Sequence, residues 1–137
     1  MLRMTIPDIE ALMDQFFPDS KRLWTITALD DRALTLRMAF RPNLVRAGGT
    51  ISGPAMMALA DTAAYFLTLA HTGPVPHMAT ANLDIHFLSR PIPVDIVATA
   101  KLLRLGRRLA VSTVELRSDG SDDVVAHATV TYALPSA

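Results

Sequence analysis

The sequence contains no cysteine, and this absence removes several kinds of chemistry. The chain can form no disulfide, no thiolate nucleophile and no thiolate metal site. A reducing compartment is permitted, and we expect a cytoplasmic location. The histidines also lack the i, i+4 spacing of a helical metal-binding pair, so we predict no metal site; they stand at positions 71, 77, 86 and 127.

Charge is scarce as well. Only 19% of the residues are charged, and 13 basic residues balance 13 acidic ones, so the net charge is zero. Nothing in this balance indicates a general affinity for nucleic acid or for a membrane surface. Half of the residues are apolar, which leaves little solvating surface for a monomer of this size. The composition therefore favours a chain that buries surface against copies of itself.

Long hydrophobic runs are missing too. No uninterrupted apolar segment approaches the length that spans a bilayer, so we expect no membrane anchor. The N-terminal stretch "MLRMTIPDIEALMDQFFPD" mixes charged and apolar residues and lacks the pattern of a signal peptide. A chain of 137 residues is long enough for one domain with its own core. We predict a single domain over residues 1–137.

Local patterns predict the secondary structure in turn. Thr5 is a candidate N-cap for a short amphipathic helix that Pro18 ends, giving an N-terminal helical segment over residues 1–19. The following stretch predicts two strands joined at Asp30-Asp31, because apolar and other residues alternate along the second strand. We interpret these strands as a hairpin.

A longer helix is predicted over residues 54–71. Pro54 suits its first turn, and the Ala, Met and Leu residues that follow favour helix. Apolar residues fall on nearly every side of it, so we expect a central, mostly buried helix. Four strands follow, and we predict that they form a meander. The fold class is therefore α+β, a curved antiparallel β-sheet wrapped around one long central helix.

One carboxylate interrupts the central helix. Asp61 has no cation one helical turn away on either side. A buried, ionised and unpartnered carboxylate costs several kcal/mol, so its presence needs a reason. The functional interpretation is a catalytic base. The structural alternative is that Asp61 faces a hydrated gap or pairs with an arginine from another strand.

The start of the same helix is a second candidate. In "GGTISGP", Gly53 has no side chain to keep a ligand from its backbone amide, and helix N-termini bind anions or polarise carbonyl oxygens. Ordinary capping chemistry explains the same residues. Gly53 and Asp61 are separated by eight residues, about 12 Å along a helix axis. If both act on one carbonyl, they must come from different subunits of a two-fold dimer.

Several segments together resemble hotdog-fold acyl-CoA thioesterases of the phenylacetic-acid-pathway and hydroxybenzoyl-CoA group. The similar elements are Asn43, "SGPAMMALAD", "ATANLDIHFLSRP", "LRLGRRL" and "VVAHATVTYAL". The resemblance covers nearly the whole chain from about residue 20. It implies a hotdog fold, dimers joined through continuous sheets, and assembly as a homodimer or homotetramer.

The resemblance also implies residue roles. Gly53 would stabilise the thioester oxyanion, Asp61 would act as nucleophile or general base, and Asn43 would orient water or substrate. The usual His-Gly-Gly of this family is here Ser52-Gly53-Pro54. A Ser52 hydroxyl can cap the helix or hydrogen-bond substrate, but it cannot carry protons near pH 7 as histidine does.

Other polar and apolar residues are candidates for contact with coenzyme A or with the acyl group. The arginines near strand ends are predicted to bind coenzyme A phosphates, with solvated strand ends as the alternative; they are Arg90, Arg104, Arg107 and Arg108. Predicted substrate contacts, each with core packing or solvent exposure as its alternative, are Tyr65, Asn82 and Met57. The four histidines are interpreted as surface or strand-end residues.

These patterns predict a homo-oligomeric acyl-CoA thioesterase, a hydrolase acting on a small aromatic or short-to-medium acyl group. Coenzyme A enters only as part of the substrate, and no cofactor is expected. The main alternative is a non-catalytic hotdog protein that binds acyl-CoA as a sensor or inactive paralogue. A hotdog dehydratase is a third possibility, although the catalytic histidine of those enzymes is not found beside this helix.

Overall fold

A computed structural model describes residues 1–19 and 23–135. The helices and strands follow in the order α1 (Ile6–Phe16), β1 (Trp24–Leu29), β2 (Ala33–Met38), α2 (Gly53–Thr72), β3 (Ala79–Phe87), β4 (Ile96–Leu105), β5 (Leu109–Ser118) and β6 (Val124–Ala133). A short 3-10 helix, Pro42–Leu44, lies between β2 and α2. The predicted α+β fold, a sheet around one long helix, is confirmed.

The N-terminal helix begins where its capping chemistry predicts. The Thr5 hydroxyl accepts from the Asp8 backbone N–H at 3.2 Å, and the Asp8 carboxylate accepts from the Thr5 N–H at 2.9 Å. This reciprocal pair satisfies two helix donors that would otherwise lack partners. The preceding residues fix α1 to α2, since the N–H groups of Arg3 and Met4 both donate to the Ala70 carbonyl oxygen.

The first two strands form the predicted hairpin. The Asp30 carboxylate accepts from the backbone N–H groups of Arg32 and Ala33, at 2.8 and 2.9 Å. These bonds close the turn and lower the pKa of Asp30 below its usual value. Alternation along β2 buries every second residue against the core, and those residues are Leu34, Leu36 and Met38.

The six strands form one antiparallel sheet in the order β1-β2-β4-β5-β6-β3. The predicted four-strand meander is therefore wrong at one strand, because β3 pairs with β6 rather than with β4. Residues 88–95 join β3 to β4, a connection too long for a tight hairpin turn. It begins alongside β6, where the N–H groups of Leu88 and Ser89 donate to the Val125 carbonyl oxygen. As a result β3 occupies an edge of the sheet.

Helix α2 crosses the concave face of the sheet and packs against β2, β3, β4, β5 and β6. Its boundaries agree with the prediction to within one residue at each end. The Ser52 hydroxyl caps it by accepting from the Ala55 N–H at 3.2 Å. At the other end, Gly73 adopts a positive φ of 89°, a conformation that favours glycine and terminates the helix.

Burial of α2 differs along its length. Residues 63–71 are all buried, as predicted for a central helix. In the first half, one face remains open and forms what we call the exposed stripe: Pro54, Met57, Ala58 and the half-buried Asp61. Within residues 1–19 and 23–135, no helix combines the length and hydrophobicity needed to cross a membrane.

Candidate active site

Asp61 lies where α2 passes the first residues of β3 and the last residues of β6. The Tyr132 hydroxyl donates to its Oδ1 atom at 2.6 Å, and the Thr80 hydroxyl donates to the same atom at 2.8 Å. Thr80 and Tyr132 are directly paired across β3 and β6. Two adjacent strands therefore hold one carboxylate oxygen from the same side.

The other oxygen of Asp61 has a different environment. Oδ2 has no hydrogen-bond partner among the described residues. It is also not buried, because the buried polar atoms without a partner are in other residues. It is therefore accessible to solvent or substrate. None of the ion pairs between described residues involves Asp61, so the alternative of an arginine partner from another strand is not supported. An anchored carboxylate with one open oxygen is suited to accept a proton.

Tyr132 is the principal support of this carboxylate. Burial raises the pKa of Tyr132 well above its usual value, and the hydrogen bond to Asp61 raises it further. The phenol therefore remains protonated and can donate throughout the physiological pH range. The same hydroxyl also lies 3.2 Å from the Asp61 backbone carbonyl oxygen. Tyr132 thus fixes the backbone as well as the side chain of the candidate base.

A cavity of about 250 Å³ opens beside Asp61, and we call it the Asp61 cavity. Aromatic side chains form much of its wall, and its lining residues are Phe17, Trp24, Asp61, Thr62, Tyr65, Phe66, Pro76, Met78, Thr80 and Tyr132. The Tyr65 ring stacks at tilted angles on Phe66 and Tyr132, with centroids 5.8 and 5.6 Å away. The cavity is therefore a mostly apolar chamber with a carboxylate in its wall.

Tyr65 lines this cavity, as predicted for a substrate contact, but its hydroxyl does not reach Asp61. It donates instead to the Pro76 carbonyl oxygen at 2.7 Å. The side chain is only 8% exposed, and its burial raises its pKa. Tyr65 is therefore both a packing residue and a wall of the cavity.

The backbone amide of Gly53 lies at the other end of the exposed stripe. The Ser52 hydroxyl is occupied by the Ala55 N–H, and Pro54 has no N–H to offer. The Gly53 N–H has no partner among the described residues. A side chain here would approach the Phe87 ring, whose nearest atom is 3.4 Å from an ideal Cβ position. Gly53 thus presents a free donor at a positive helix end.

Asn43 lies near this amide and is exposed. The loop between the 3-10 helix and α2 folds back on itself, because the Ser52 N–H donates to the Leu44 carbonyl oxygen at 2.7 Å. This bond places Leu44, which follows Asn43, beside Ser52, which precedes Gly53. Asn43 and Gly53 therefore belong to one end of the molecule, whereas Asp61 and its donors belong to another.

The remaining predicted contacts do not meet at Asp61 within one chain. Asn82 is exposed on β3 and is absent from the wall of the Asp61 cavity. Met57, 40% exposed, lies on the exposed stripe between Gly53 and Asp61. Both assignments stay predictions, because neither residue touches the carboxylate.

The arginines predicted to bind coenzyme A phosphates do not lie together within a single chain. Arg107 and Arg108 lie in the β4–β5 turn, and the Arg108 carbonyl oxygen accepts from the Leu134 N–H, close to where β3 begins. Arg90 follows the last residue of β3, at the opposite end of that strand. All three are exposed, as is Arg104. Arg90 is therefore separated from Arg107 and Arg108 by the length of β3.

The expectation that all four histidines lie at the surface or at strand ends is wrong for one of them. His71, near the end of α2, is only 8% exposed, and its Nε2 atom is buried without a partner. Burial lowers its pKa, and the positive charge of the N-terminus lowers it further. The described residues contain no group of three or more His, Asp or Glu side chains placed to hold a metal ion.

Sequence reasoning missed the residues that complete the site. Thr80 and Tyr132 look like ordinary strand residues, and only their direct pairing across β3 and β6 brings their hydroxyls to Asp61. A signal was available for Tyr132, since a tyrosine on the buried face of a strand needs a hydrogen-bond partner. Phe17 and Trp24 had no comparable signal, because the cavity they line depends on tertiary packing.

Comparison with known proteins shows the family to which the chain belongs. The family model described as "Thioesterase superfamily" matches residues 48–125, more than half of the chain. A thioesterase of provisional assignment from Silicibacter sp. TM1040 has a crystal structure that is 36% identical. The match covers 98% of this chain and 94% of that one, with a TM-score of 0.89.

Two more distant relatives are also similar. A protein from Ralstonia eutropha JMP134, provisionally a thioesterase and described as related to phenylacetic acid degradation, is 23% identical. The match covers 91% of this chain and 98% of that one, with a TM-score of 0.79, and it shows a shared fold. A provisionally assigned esterase from Thermoplasma acidophilum is 26% identical over 108 residues, 78% of this chain and 80% of its own. The chain belongs to the thioesterase superfamily, with the hotdog fold that the sequence predicted.

Proposed function

We propose that the protein hydrolyses acyl-CoA thioesters that carry a small aromatic or short-to-medium acyl group. One observation carries the proposal: Asp61 has one oxygen held by two hydroxyl groups and the other open, in the wall of an apolar cavity. Family membership supports thioester hydrolysis as the reaction. The description of the Ralstonia protein supports an aromatic acyl group.

In the proposed reaction, Asp61 Oδ2 removes a proton from water while the water oxygen attacks the thioester carbonyl carbon. The carbonyl oxygen becomes an oxyanion, which the Gly53 N–H stabilises. The tetrahedral intermediate then collapses and the carbon–sulfur bond breaks. The coenzyme A sulfur leaves as a thiolate and takes up the proton that Asp61 accepted. Direct attack by Asp61, which forms an acyl-Asp anhydride that water then hydrolyses, uses the same residues.

We further propose that each site combines two subunits. Gly53 and Asp61 are about 12 Å apart along α2, too far to act on one carbonyl. Asp61 is hydrogen-bonded to Thr80 near the start of β3, whereas Gly53 faces Phe87 at the end of β3. Antiparallel pairing of two β3 edges about a two-fold axis would place the Asp61 of one chain near the Gly53 of the other.

The character of β3 supports this pairing. The strand has nine residues, lies at an edge of the sheet and contains neither proline nor lysine. Such an edge presents unpaired backbone groups that readily pair with another strand. The same two-fold operation would bring Arg90 of one chain toward the β4–β5 turn of the other, where Arg107 and Arg108 lie. Binding of coenzyme A phosphates by these arginines thus requires the dimer. A tetramer and a cytoplasmic location stay predictions.

The alternative is an acyl-CoA-binding protein without hydrolytic activity. It is favoured by Ser52, which stands in place of the histidine usual in this family and whose hydroxyl is occupied in capping α2. No proton-carrying side chain is then supplied at this position. The proposed mechanism does not need one, because Asp61 both accepts the water proton and returns it.

A substrate panel separates the two functions. The protein is incubated with acyl-CoAs of increasing acyl size, and free thiol is measured, with Asp61→Asn and Asp123→Asn in parallel. Asp123 is exposed in the β5–β6 turn and provides the matched control. We expect hydrolysis that Asp61→Asn lowers at least about 100-fold and that Asp123→Asn leaves unchanged. Tight acyl-CoA binding without thiol release would contradict the proposal.

A further inference from the structure

Part of the wall of the Asp61 cavity comes from outside the region that defines the family. Phe17 and Trp24 both line the cavity, yet the family model matches only residues 48–125. Asp61 and its donor Thr80 lie within the matched residues, whereas its other donor, Tyr132, lies beyond them. The N-terminal segment of the chain therefore adds walls to a chamber whose reactive carboxylate belongs to the common part of the family.

The structure holds the Phe17 ring in a defined position. The Phe17 N–H donates to the Met13 carbonyl oxygen at 2.7 Å, which ties the residue to the last turn of α1. Its ring meets Tyr65 edge-on, with centroids 6.0 Å apart and planes at 88°. Tyr65 is itself fixed by the 2.7 Å hydrogen bond to the Pro76 carbonyl oxygen. Phe17 is thus part of an aromatic wall, although it is 42% exposed.

The opposite boundary involves Trp24. This residue begins β1, an edge strand, where it pairs with Met38 of β2, and its side chain packs against the core. Sheet pairing fixes its backbone, and packing against the core restricts its indole. The cavity is consequently bounded by two bulky rings, one from the residue that follows α1 and one from β1, and by α2 and β6 on the side of Asp61.

The cavity volume limits what can enter. An engineered protein cavity of about 150 Å³ holds a benzene molecule, and the Asp61 cavity measures about 250 Å³. One aromatic ring with a short linker fits this volume, and an acyl group larger than the cavity would contact Phe17 and Trp24 in its wall. An aromatic ring that enters the cavity would also pack edge-to-face or offset-stacked against the aromatic side chains of its wall.

We propose that Phe17 and Trp24 form the wall of the acyl pocket that sets the upper size limit of the acyl group. This inference rests on the proposed thioesterase function and deepens it. It assigns acyl selectivity to the N-terminal segment, while the reaction itself is assigned to α2, β3 and β6.

A kinetic comparison of two neighbouring phenylalanines tests the size limit. Phe17→Ala enlarges the cavity, whereas Phe16→Ala removes an equally bulky ring that is 49% exposed and does not line it. The probes are acetyl-CoA, phenylacetyl-CoA and 2-naphthylacetyl-CoA. We expect Phe17→Ala to raise the naphthylacetyl to phenylacetyl ratio of kcat/KM at least about tenfold. Phe16→Ala should keep the wild-type ratio. Equal ratios in all three proteins would overturn the proposal.

Trp24 supplies a second readout that does not depend on hydrolysis. It is the only tryptophan in the chain, so intrinsic tryptophan fluorescence reports on the cavity wall alone. In Asp61→Asn, phenylacetyl-CoA should shift or quench the Trp24 emission at concentrations where coenzyme A does not. An identical response to coenzyme A and to phenylacetyl-CoA would overturn the assignment of this cavity to the acyl group.

The two readouts separate failure of the inference from failure of the proposed function. Hydrolysis without an acyl-dependent change in Trp24 emission would refute the cavity assignment and keep the thioesterase. An acyl-dependent change without hydrolysis would keep the cavity assignment and refute the enzyme. If Phe17→Ala does not fold, Phe17→Leu provides a smaller enlargement. The ratio for Phe17→Leu, compared with that of Phe16→Leu, then decides the size limit.

Discussion

The two halves of α2 have opposite environments. In the second half every residue from 63 to 71 is buried, because α1 and its preceding residues cover the side that the sheet leaves open. In the first half the exposed stripe has no covering element among the described residues, and it leads from Gly53 to Asp61. The protein thus completes its own core around one half of the helix. Around the other half, one face of the helix stays open.

This difference separates stability from function along one helix. The second half contributes buried apolar surface, and its substitution should mainly affect unfolding. The first half also buries one face, but its open face contributes a free amide and an anchored carboxylate, so substitution on that open face should mainly affect catalysis. Three variants test this division, from the largest expected effect to the smallest.

The largest effect is expected at the start of the helix. Gly53→Pro removes the proposed oxyanion donor while keeping a residue that suits the first helical turn. Loss of one such donor costs about 100-fold to 1000-fold in kcat. The thermal unfolding midpoint should change little, which circular dichroism would check. Full activity in Gly53→Pro would exclude this amide from the mechanism.

The same variant tests whether the site is shared between subunits. Gly53→Pro and Asp61→Asn are each expected to be inactive, but a hybrid dimer of the two would contain one site with both groups intact. Random mixing should restore about a quarter of the wild-type activity if the groups come from different subunits. Mixed preparations that remain as inactive as the parents would place both groups of a site in one chain.

An intermediate effect is expected at the donors of the carboxylate. Tyr132→Phe removes the 2.6 Å hydrogen bond to Asp61. A hydrogen bond to a charged group contributes about 1.5 to 3 kcal/mol, so we expect kcat to fall about tenfold or more. Tyr65→Phe is the matched control, since its hydroxyl bonds to Pro76 instead. Equal losses in the two variants would indicate that packing, rather than support of Asp61, explains the result.

The smallest effect is expected in the second half of α2, on stability alone. Burial lowers the pKa of His71 in the folded protein, whereas the unfolded chain has the ordinary value of about 6.5. Below that pH the unfolded chain binds more protons, so the free energy of unfolding should decrease as the pH falls through about 6.5. His71→Leu should flatten this dependence, and urea unfolding between about pH 5 and pH 8 would measure it.

His77→Leu serves as the control for that experiment, because His77 is exposed. Its unfolding should keep the wild-type dependence on pH. An unchanged slope in His71→Leu would mean that another group is responsible.

Local features of this fold could be predicted from the sequence. The capping residues Thr5 and Ser52, the Asp30 turn and the alternation along β2 all act over a few residues, and the helices and hairpin follow from them. Asp61 was also identifiable, because a charge within an apolar helix is visible in the sequence itself. The position of β3 in the sheet could not be predicted, because the long connection between β3 and β4 does not indicate which strand pairs with β3.

The site was predicted only in part for the same reason. The candidate catalytic residues Gly53 and Asp61 lie on one helix, where their separation in the sequence gives the distance between them. The donors Thr80 and Tyr132 lie 52 positions apart and meet only through the pairing of β3 with β6. The cavity depends on how α1 packs against α2, which no local pattern encodes. The sequence thus pointed to the candidate carboxylate and missed the residues that hold it.

The place of β6 between β5 and β3 has a consequence for how the protein acquires activity. Of the six strands it is the last to be synthesised, and β3 has no other partner in the sheet of one chain. A nascent chain that stopped short of β6 would leave β3 unattached and Asp61 without its two hydroxyl donors. Catalytic competence would therefore appear only once the final strand has joined the sheet.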